Sequence, residues 1–244
     1  MNYKEIIDKF QQLQGRKALQ LRAVLFDMDG VLFNSMPFHA KAWSQVMTEA
    51  GYNFTEEDVY MNEGRTGADT INTASLAQFG KLATQEHIDA LCQRKCEIYA
   101  TYPETPRIQG AVELVKKVKA YGLTPMIVTG SGTPTLLDRI QSHFPGLFDE
   151  NHIVTSFNVK RGKPFPDPYL LALEKGGLAP NEAIVVENAP LGVTAGVAAG
   201  LFTIAANTGP LNPQVLYDAG ANIVFPSVQA IHDEWENLLA AFKA

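Results

Sequence analysis

Arg22-Ala23-Val24-Leu25-Phe26-Asp27-Met28-Asp29-Gly30 is the stretch on which the fold turns. Arg22 to Phe26 is a short apolar run, and it stops abruptly at two carboxylates two residues apart, which reads as a buried strand ending in acids. Gly30 follows, and its lack of a side chain allows a tight turn beside a ligand. Similar short runs recur at Thr124 to Val128, His152 to Thr155, Ala183 to Val186 and Leu201 to Ala205, with a weaker one at Asn222 to Phe225. Helical patterns separate most of them. Strands alternating with helices predict an α/β fold, a doubly wound parallel sheet covered on both faces.

One region breaks this rhythm. Helical periodicity runs through His39 to Ala50, Gly67 to Phe79, Thr84 to Tyr99 and Gly110 to Ala120 with no strand among them. The first three are expected to form a small α-helical cap domain, residues 36–104, leaving 1–35 and 105–244 as the core. Its borders, Asn34-Ser35-Met36-Pro37 and Pro103-Glu104-Thr105-Pro106, suit hinges, because proline-flanked segments do not extend helices. Within residues 1–20 an amphipathic helix is predicted over about 3–19, with Ile6, Ile7, Phe10 and Leu13 on one face.

Composition narrows the partners. The 244 residues are 46% hydrophobic and 19% charged, with 14 prolines and 19 glycines scattered along the chain, which argues for a packed fold and against low complexity. A net charge of -6 and a pI near 5.4 offer no basic stripe, so nucleic acid is not the expected partner. No apolar run approaches the roughly 20 residues that span a bilayer. Lys4, Asp8, Lys9, Arg16 and Lys17 stand where a signal peptide would have its apolar core, so a cytoplasmic monomer is expected. Cys92 and Cys96, four apart in a helical pattern, are too few for a structural zinc site and read as core or half-buried thiols.

Ligands of open parallel sheets sit beyond the carboxyl ends of the strands, so the residues delivered there decide the chemistry. The first strand ends in Asp27 and Asp29. The second ends in Thr129-Gly130-Ser131-Gly132, a hydroxyl and glycine turn before a helix expected to start at Thr133-Pro134, with backbone N–H groups suited to an anion. The segment after the third is Lys160 to Pro168, a proline-stiffened loop able to hold one ammonium, that of Lys163. The fourth ends in Glu187-Asn188, oxygen ligands suited to Mg²⁺. A carboxylate attacking a phosphate brings two anions together, so metal and ammonium charge must offset them. Asp27 is the candidate nucleophile. Asp29 is the candidate acid/base, its pKa expected to be raised by close negative neighbours.

In order and context, Asp27-Met28-Asp29-Gly30-Val31, Thr129, Lys163 and Glu187-Asn188 resemble the four motifs of the haloacid dehalogenase superfamily, a likeness covering residues 22–225. The helical insert resembles the cap of β-phosphoglucomutases and related phosphatases. The resemblance implies a Rossmann-like core and an aspartyl-phosphate on Asp27, with Asp29 as acid/base and its backbone carbonyl on Mg²⁺. It further implies that Thr129 and Lys163 bind the transferring phosphoryl group, and that Asn188 completes the metal site with Glu187 beside it. Many relatives carry an acid where this chain has Asn188, so the cation site has one negative charge fewer, and Glu63 is the candidate recruit. Glu63-Gly64-Arg65-Thr66-Gly67 resembles the specificity loop of a haloacid-dehalogenase-type inorganic pyrophosphatase. Gly67 falls where the sugar mutase has an arginine for the distal phosphate. Lys95 falls near a phosphate-binding lysine of the mutase cap.

Each residue also has a plainer reading. An Asp-x-Asp-Gly string often only caps a strand, and a lysine in a proline loop is often solvated. Thr129 could satisfy its own backbone and Ser131 precap a helix, while Glu187 and Asn188 could do no more than cap one. Glu63 and Arg65 could be a surface ion pair, His39 a histidine packed on Trp43, and Lys95 a solvated face. The ordered set outweighs these readings for the core motifs. The expected activity is hydrolysis of a small phosphorylated substrate, pyrophosphate or a sugar phosphate, with β-phosphoglucomutase as the alternative. Asp29 argues against dehalogenase chemistry, and the helical insert against a phospho-receiver module.

Overall fold

The chain runs through α1 (Tyr3–Gln14) and β1 (Ala23–Phe26), then four helices, α2 (Met36–Glu49), α3 (Glu56–Met61), α4 (Gly67–Phe79) and α5 (Gln85–Tyr99). After α6 (Ala111–Ala120) it alternates: β2 (Thr124–Val128), α7 (Leu136–His143), β3 (Ile153–Val154), α8 (Asp167–Gly176), β4 (Ala183–Glu187). It closes with α9 (Pro190–Ala198), β5 (Phe202–Ala206), α10 (Pro213–Asp218), β6 (Ile223–Phe225) and α11 (Val228–Lys243). This computed structural model describes residues 2–14, 18–132 and 135–243.

The six strands form one sheet in the order β3-β2-β1-β4-β5-β6, every pairing parallel, as the strand rhythm predicts. Side chains alternate across it with the two-residue period of a strand. Val24 and Phe26 meet Ile127, Ile184 and Val186 on the face covered by α1, α6, α7 and α11. Ala23 and Leu25 meet Met126, Val128 and Val185 on the face covered by α8 and α9. Strands buried on both faces need apolar residues at every position, which is why these runs show no alternation in the sequence.

Helices α2 to α5 enclose an apolar cluster of their own, with Ala40, Val46, Met47, Ile71, Ile88 and Leu91 at its centre. Helix α3 is not foreseen from periodicity, being only two turns long. Local chemistry makes it: Thr55 Oγ1 accepts from the Asp58 N–H while Asp58 Oδ2 accepts from the Thr55 N–H, a reciprocal cap that satisfies two otherwise orphaned donors.

The opening helix is shorter than expected. It ends at Gln14, and part of the predicted span, residues 15–17, lies outside the described residues. Ile7 and Phe10 are buried, but Leu13 is 77% exposed and does not join them. Phe10 packs edge-on against Phe202, and the Tyr3 hydroxyl donates to Glu234 Oε2 at 3.0 Å, so α1 closes the sheet face beside α11. Among the described residues no helix is long and apolar enough to cross a membrane.

Candidate active site

Strand register assembles the site. Phe26 lies beside Ile127 on one side and Val186 on the other, so the residues that follow each strand, Asp27, Thr129 and Glu187-Asn188, emerge together. The chain order reverses between β1 and β4, the switch point at which open α/β sheets leave a crevice. The Asp27 N–H is still in the ladder, donating to the Val186 carbonyl at 2.9 Å, which fixes the base of the side chain.

Lys163, 2% exposed, reaches this point from the loop before α8. Its Nζ donates to Asp27 Oδ1 and Glu187 Oε1, each at 2.5 Å, and to the Val128 carbonyl at 3.2 Å. A buried ammonium needs such partners, because desolvation without them costs several kcal/mol per ion. Glu187 Oε1 also accepts from the Tyr169 hydroxyl, and Oε2 from the Asn188 and Ala189 N–H groups. Both Glu187 oxygens are thereby committed. Glu187, a candidate metal ligand in the sequence, here holds Lys163 through its carboxylate. Two carboxylates share one ammonium, so the cluster carries excess negative charge. Burial pushes Asp27 up to about 8, with Lys163 pulling it down and Glu187 and Asp29 pushing it further up.

Asn188 leans over Gly30, whose φ of 83° suits a residue with no side chain. A Cβ there would fall 2.1 Å from Asn188 Nδ2. The Thr208 hydroxyl holds the same turn by donating to the Gly30 carbonyl. Asn188 Nδ2 donates to Glu63 Oε1 at 2.9 Å, tying the insert to the core, while Asn188 Oδ1 is buried with no hydrogen-bond partner. A buried oxygen without a donor, set beside excess negative charge, is what a hard cation would satisfy. Among the described residues no three Asp, Glu, His or Cys side chains cluster as metal ligands. A cation here would therefore use the Asn188 amide, Asp27 and main-chain oxygen.

Asp29 stands differently from expectation. Its Oδ1 accepts from the Ser35 hydroxyl at 2.5 Å and faces His39 Nε2 at 3.6 Å and Arg139 Nη2 at 3.7 Å. Burial works to raise its pKa, but the hydrogen bond and charge of His39, then Arg139 and Ser35, hold it well below the usual carboxylate range. The expectation of a raised pKa is overturned because the groups facing this carboxylate are donors and a guanidinium. Burial and the charge of Lys95 lower the pKa of His39 itself, against the pull of Asp29.

Other candidates line a cavity of about 430 Å³ between core and insert. Thr129 is buried, its Oγ1 accepting from the Ser131 N–H at 2.9 Å, and Gly130 and Ser131 complete the core-side wall. The predicted helix start at Thr133-Pro134 lies outside the described residues, and α7 begins at Leu136. On the insert side, Glu63 and Arg65 do not pair: Glu63 turns to Asn188 and Arg65 Nε donates to Asn62 Oδ1. His39 stacks on Tyr99, with ring centroids 4.4 Å apart, and Lys95 Nζ sits 4.8 Å from that ring's centre and 5.8 Å from that of Trp43. Desolvation and the charge of Asp27 raise Glu63 well above its ordinary pKa. Cys92 is half-buried and Cys96 exposed.

Sequence reading missed Ser35, Tyr99, Arg139 and Tyr169. Tyr169 had a usable signal, lying six residues after Lys163 in the first turn of the following helix. Arg139, a lone arginine in an amphipathic helix, had none.

Fold and site together define a doubly wound α/β enzyme class with a helical insert over a carboxylate–ammonium cluster. The chain belongs to the haloacid dehalogenase-like hydrolase family, whose sequence pattern matches residues 21–200. It is 35% identical to hexitol phosphatase A of Escherichia coli over 81% of this chain and 88% of that one. It is 30% identical to the phosphorylated carbohydrates phosphatase of Thermotoga maritima over 82% and 92% of the respective chains. A solved structure from Bacteroides vulgatus, titled provisionally as a beta-phosphoglucomutase, is 52% identical with a TM-score of 0.97 over the whole of both chains.

Proposed function

We propose that this chain is a Mg²⁺-dependent phosphohydrolase that passes through an aspartyl-phosphate on Asp27 and acts on a small phosphorylated substrate, a sugar phosphate or pyrophosphate. The observation that carries this reading is the buried Lys163 ammonium held between Asp27 and Glu187 at the sheet's switch point. It keeps a nucleophilic carboxylate in place and sets an ammonium beside the point where a phosphoryl group would arrive. Asp27, the Asp29 carbonyl and Asn188 would hold Mg²⁺, which when bound offsets the negative charge that carboxylate and phosphate bring together.

An Asp27 oxygen attacks phosphorus, the bond from phosphorus to the leaving oxygen breaks, and that oxygen takes the proton of Asp29. An incoming anionic phosphoryl group raises the proton affinity of Asp29 by like-charge proximity, and Asp29 takes that proton up from water as the substrate binds. Ionised once more, Asp29 accepts a proton from water as the water oxygen attacks phosphorus, the bond from phosphorus to the Asp27 oxygen breaks, and orthophosphate leaves. Thr129 and the N–H groups of its turn orient the phosphoryl oxygens. On the insert side Arg65, His39 and Lys95 face the rest of the substrate. The Lys95 ammonium lies over the ring faces of Tyr99 and Trp43, a setting that favours a second anionic or hydroxyl-rich group.

The sugar-phosphate side of this reading is supported by the two phosphatase relatives, the pyrophosphate side by Glu63 reaching Asn188. β-Phosphoglucomutase chemistry is the second reading, favoured by the provisional title of the Bacteroides vulgatus neighbour. Against it stands Gly67 in place of an arginine for a distal phosphate, at a position where an added Cβ would fall 2.8 Å from Cys92 Sγ. A screen of pyrophosphate, hexose phosphates and a bisphosphate primer should show orthophosphate release that needs Mg²⁺. Isomer formation without orthophosphate rejects hydrolysis.

Glu63→Ala separates selectivity from chemistry. Its kcat/KM on the preferred substrate should fall about 10–100-fold, while p-nitrophenyl phosphate changes less than about 3-fold, since lost positioning acts on the substrate that uses the loop. Equal losses on both substrates would remove Glu63 from selectivity.

A further inference from the structure

Among the described residues, the acid/base carboxylate is within ion-pair distance of His39 of the insert and of Arg139 of the core. Arg139 lies on α7, the helix that follows the phosphate-side turn, and its side chain is 25% exposed. Three contacts place its guanidinium: 4.3 Å above the Phe33 ring, Nη2 3.5 Å from Met28 Sδ, and Nη2 3.7 Å from Asp29 Oδ1. Phe33 is itself fixed by edge-on contacts with His143 and Phe144, both at the far end of α7. The guanidinium therefore lies over a ring packed on both sides, with Nη2 toward Asp29. Arg139 Nε is buried with no partner. A structural arginine would satisfy that donor, whereas this one leaves it unpaired, a cost normally tolerated where a side chain is held for another purpose. Its nearest carboxylate is that of Asp29.

We infer that Arg139 is a positioning residue for Asp29: with Ser35 and His39 it pins Oδ1, so that Oδ2 is the oxygen presented to the leaving group and to water. Ser35, His39 and Arg139 all address the same oxygen. Three groups from three segments converging on one oxygen fix the carboxylate's rotation about its χ2 angle, which is otherwise soft for an aspartate. Two of the three, Ser35 and His39, sit on the first linker and the first insert helix and would shift with any movement of the insert. Arg139 belongs to the core, so it is the contact that persists. The inference rests on the proposed role of Asp29 in proton transfer.

Leaving-group chemistry tests it. An alkyl phosphate needs a proton delivered to its leaving oxygen, whereas p-nitrophenyl phosphate expels a stable anion and needs none. Arg139→Met keeps length and the apolar contact with Phe33 while removing the fork. Its kcat on an alkyl or sugar phosphate should fall about 30–100-fold, within the range that general acid catalysis supplies, and on p-nitrophenyl phosphate less than about 3-fold. Arg139→Lys, which keeps charge but not the planar fork, should lie between. Circular dichroism melts establish that each variant is folded, and if the methionine variant is not, the lysine variant is read by the same criterion. Equal losses on both substrates, or no loss on either, overturn the positioning role. Failure of the underlying mechanism has a different signature: Asp27→Asn retains turnover, and both statements then fall together.

Discussion

Asp27→Asn abolishes turnover on every phosphate substrate, on the order of 10⁴-fold or more in kcat, because the amide cannot form the covalent intermediate. The same change stabilises the metal-free protein. Asp27 and Glu187 compete for one ammonium, and burial has already pushed the Asp27 pKa up from its ordinary 3.8 to about 8. The sign follows from linkage. A group whose pKa is higher folded than unfolded contributes stability below its unfolded value, and that contribution is lost as pH rises through the folded value. Metal-free wild type should therefore lose stability between about pH 4 and pH 8 on account of Asp27. The asparagine variant has no such group, and its Oδ1 can still accept from Lys163. The difference in Tm should be small at pH 5 and larger at pH 8, and millimolar Mg²⁺ should narrow it by offsetting the repulsion. Turnover surviving in the variant would end the mechanism, and a Tm that falls equally at both pH values would show that the cluster is not over-charged.

What the sequence disclosed and what it withheld divide along physical lines. The strands were readable because burial on both faces forces uninterrupted apolar runs, and the carboxyl-end residues Asp27, Thr129, Lys163 and Glu187-Asn188 could be placed because a parallel sheet sends all its strand ends one way. Helix α3 was hidden because six residues are too few for a helical period to show, although the Thr55 and Asp58 cap was present in the letters. The surroundings of Asp29 were also hidden. Nothing local says that Ser35, His39 and Arg139, lying 6, 10 and 110 residues further on, converge on one oxygen, so the sign of its pKa shift could not be read. The hydrogen bonds of Glu187 were hidden as well. Its partners, Lys163 and the Tyr169 hydroxyl, arrive from a loop and a helix whose distance only the packing sets.

Lys163→Met has the second large effect, and it falls on stability and catalysis alike. Removing one partner from a buried charge cluster costs about 3–5 kcal/mol, because the remaining charges are left without compensation. Here Asp27 and Glu187 would face each other across an apolar thioether, their nearest offset gone. Asp27, already raised by burial, then loses the group that pulls its pKa down, so the deficit should deepen as pH rises above about 4 and ease below it. Turnover should fall on the order of 10³-fold, the size of losing one preorganised charge at a developing anion. A second substitution separates the two effects. Lys163→Met with Glu187→Gln removes the repulsion, and the glutamine amide can still accept from Tyr169. That double variant should recover most of the lost stability in urea unfolding and none of the lost kcat. Recovery of both would reduce Lys163 to a structural counter-ion, whereas recovery of stability alone assigns its ammonium to the phosphoryl group.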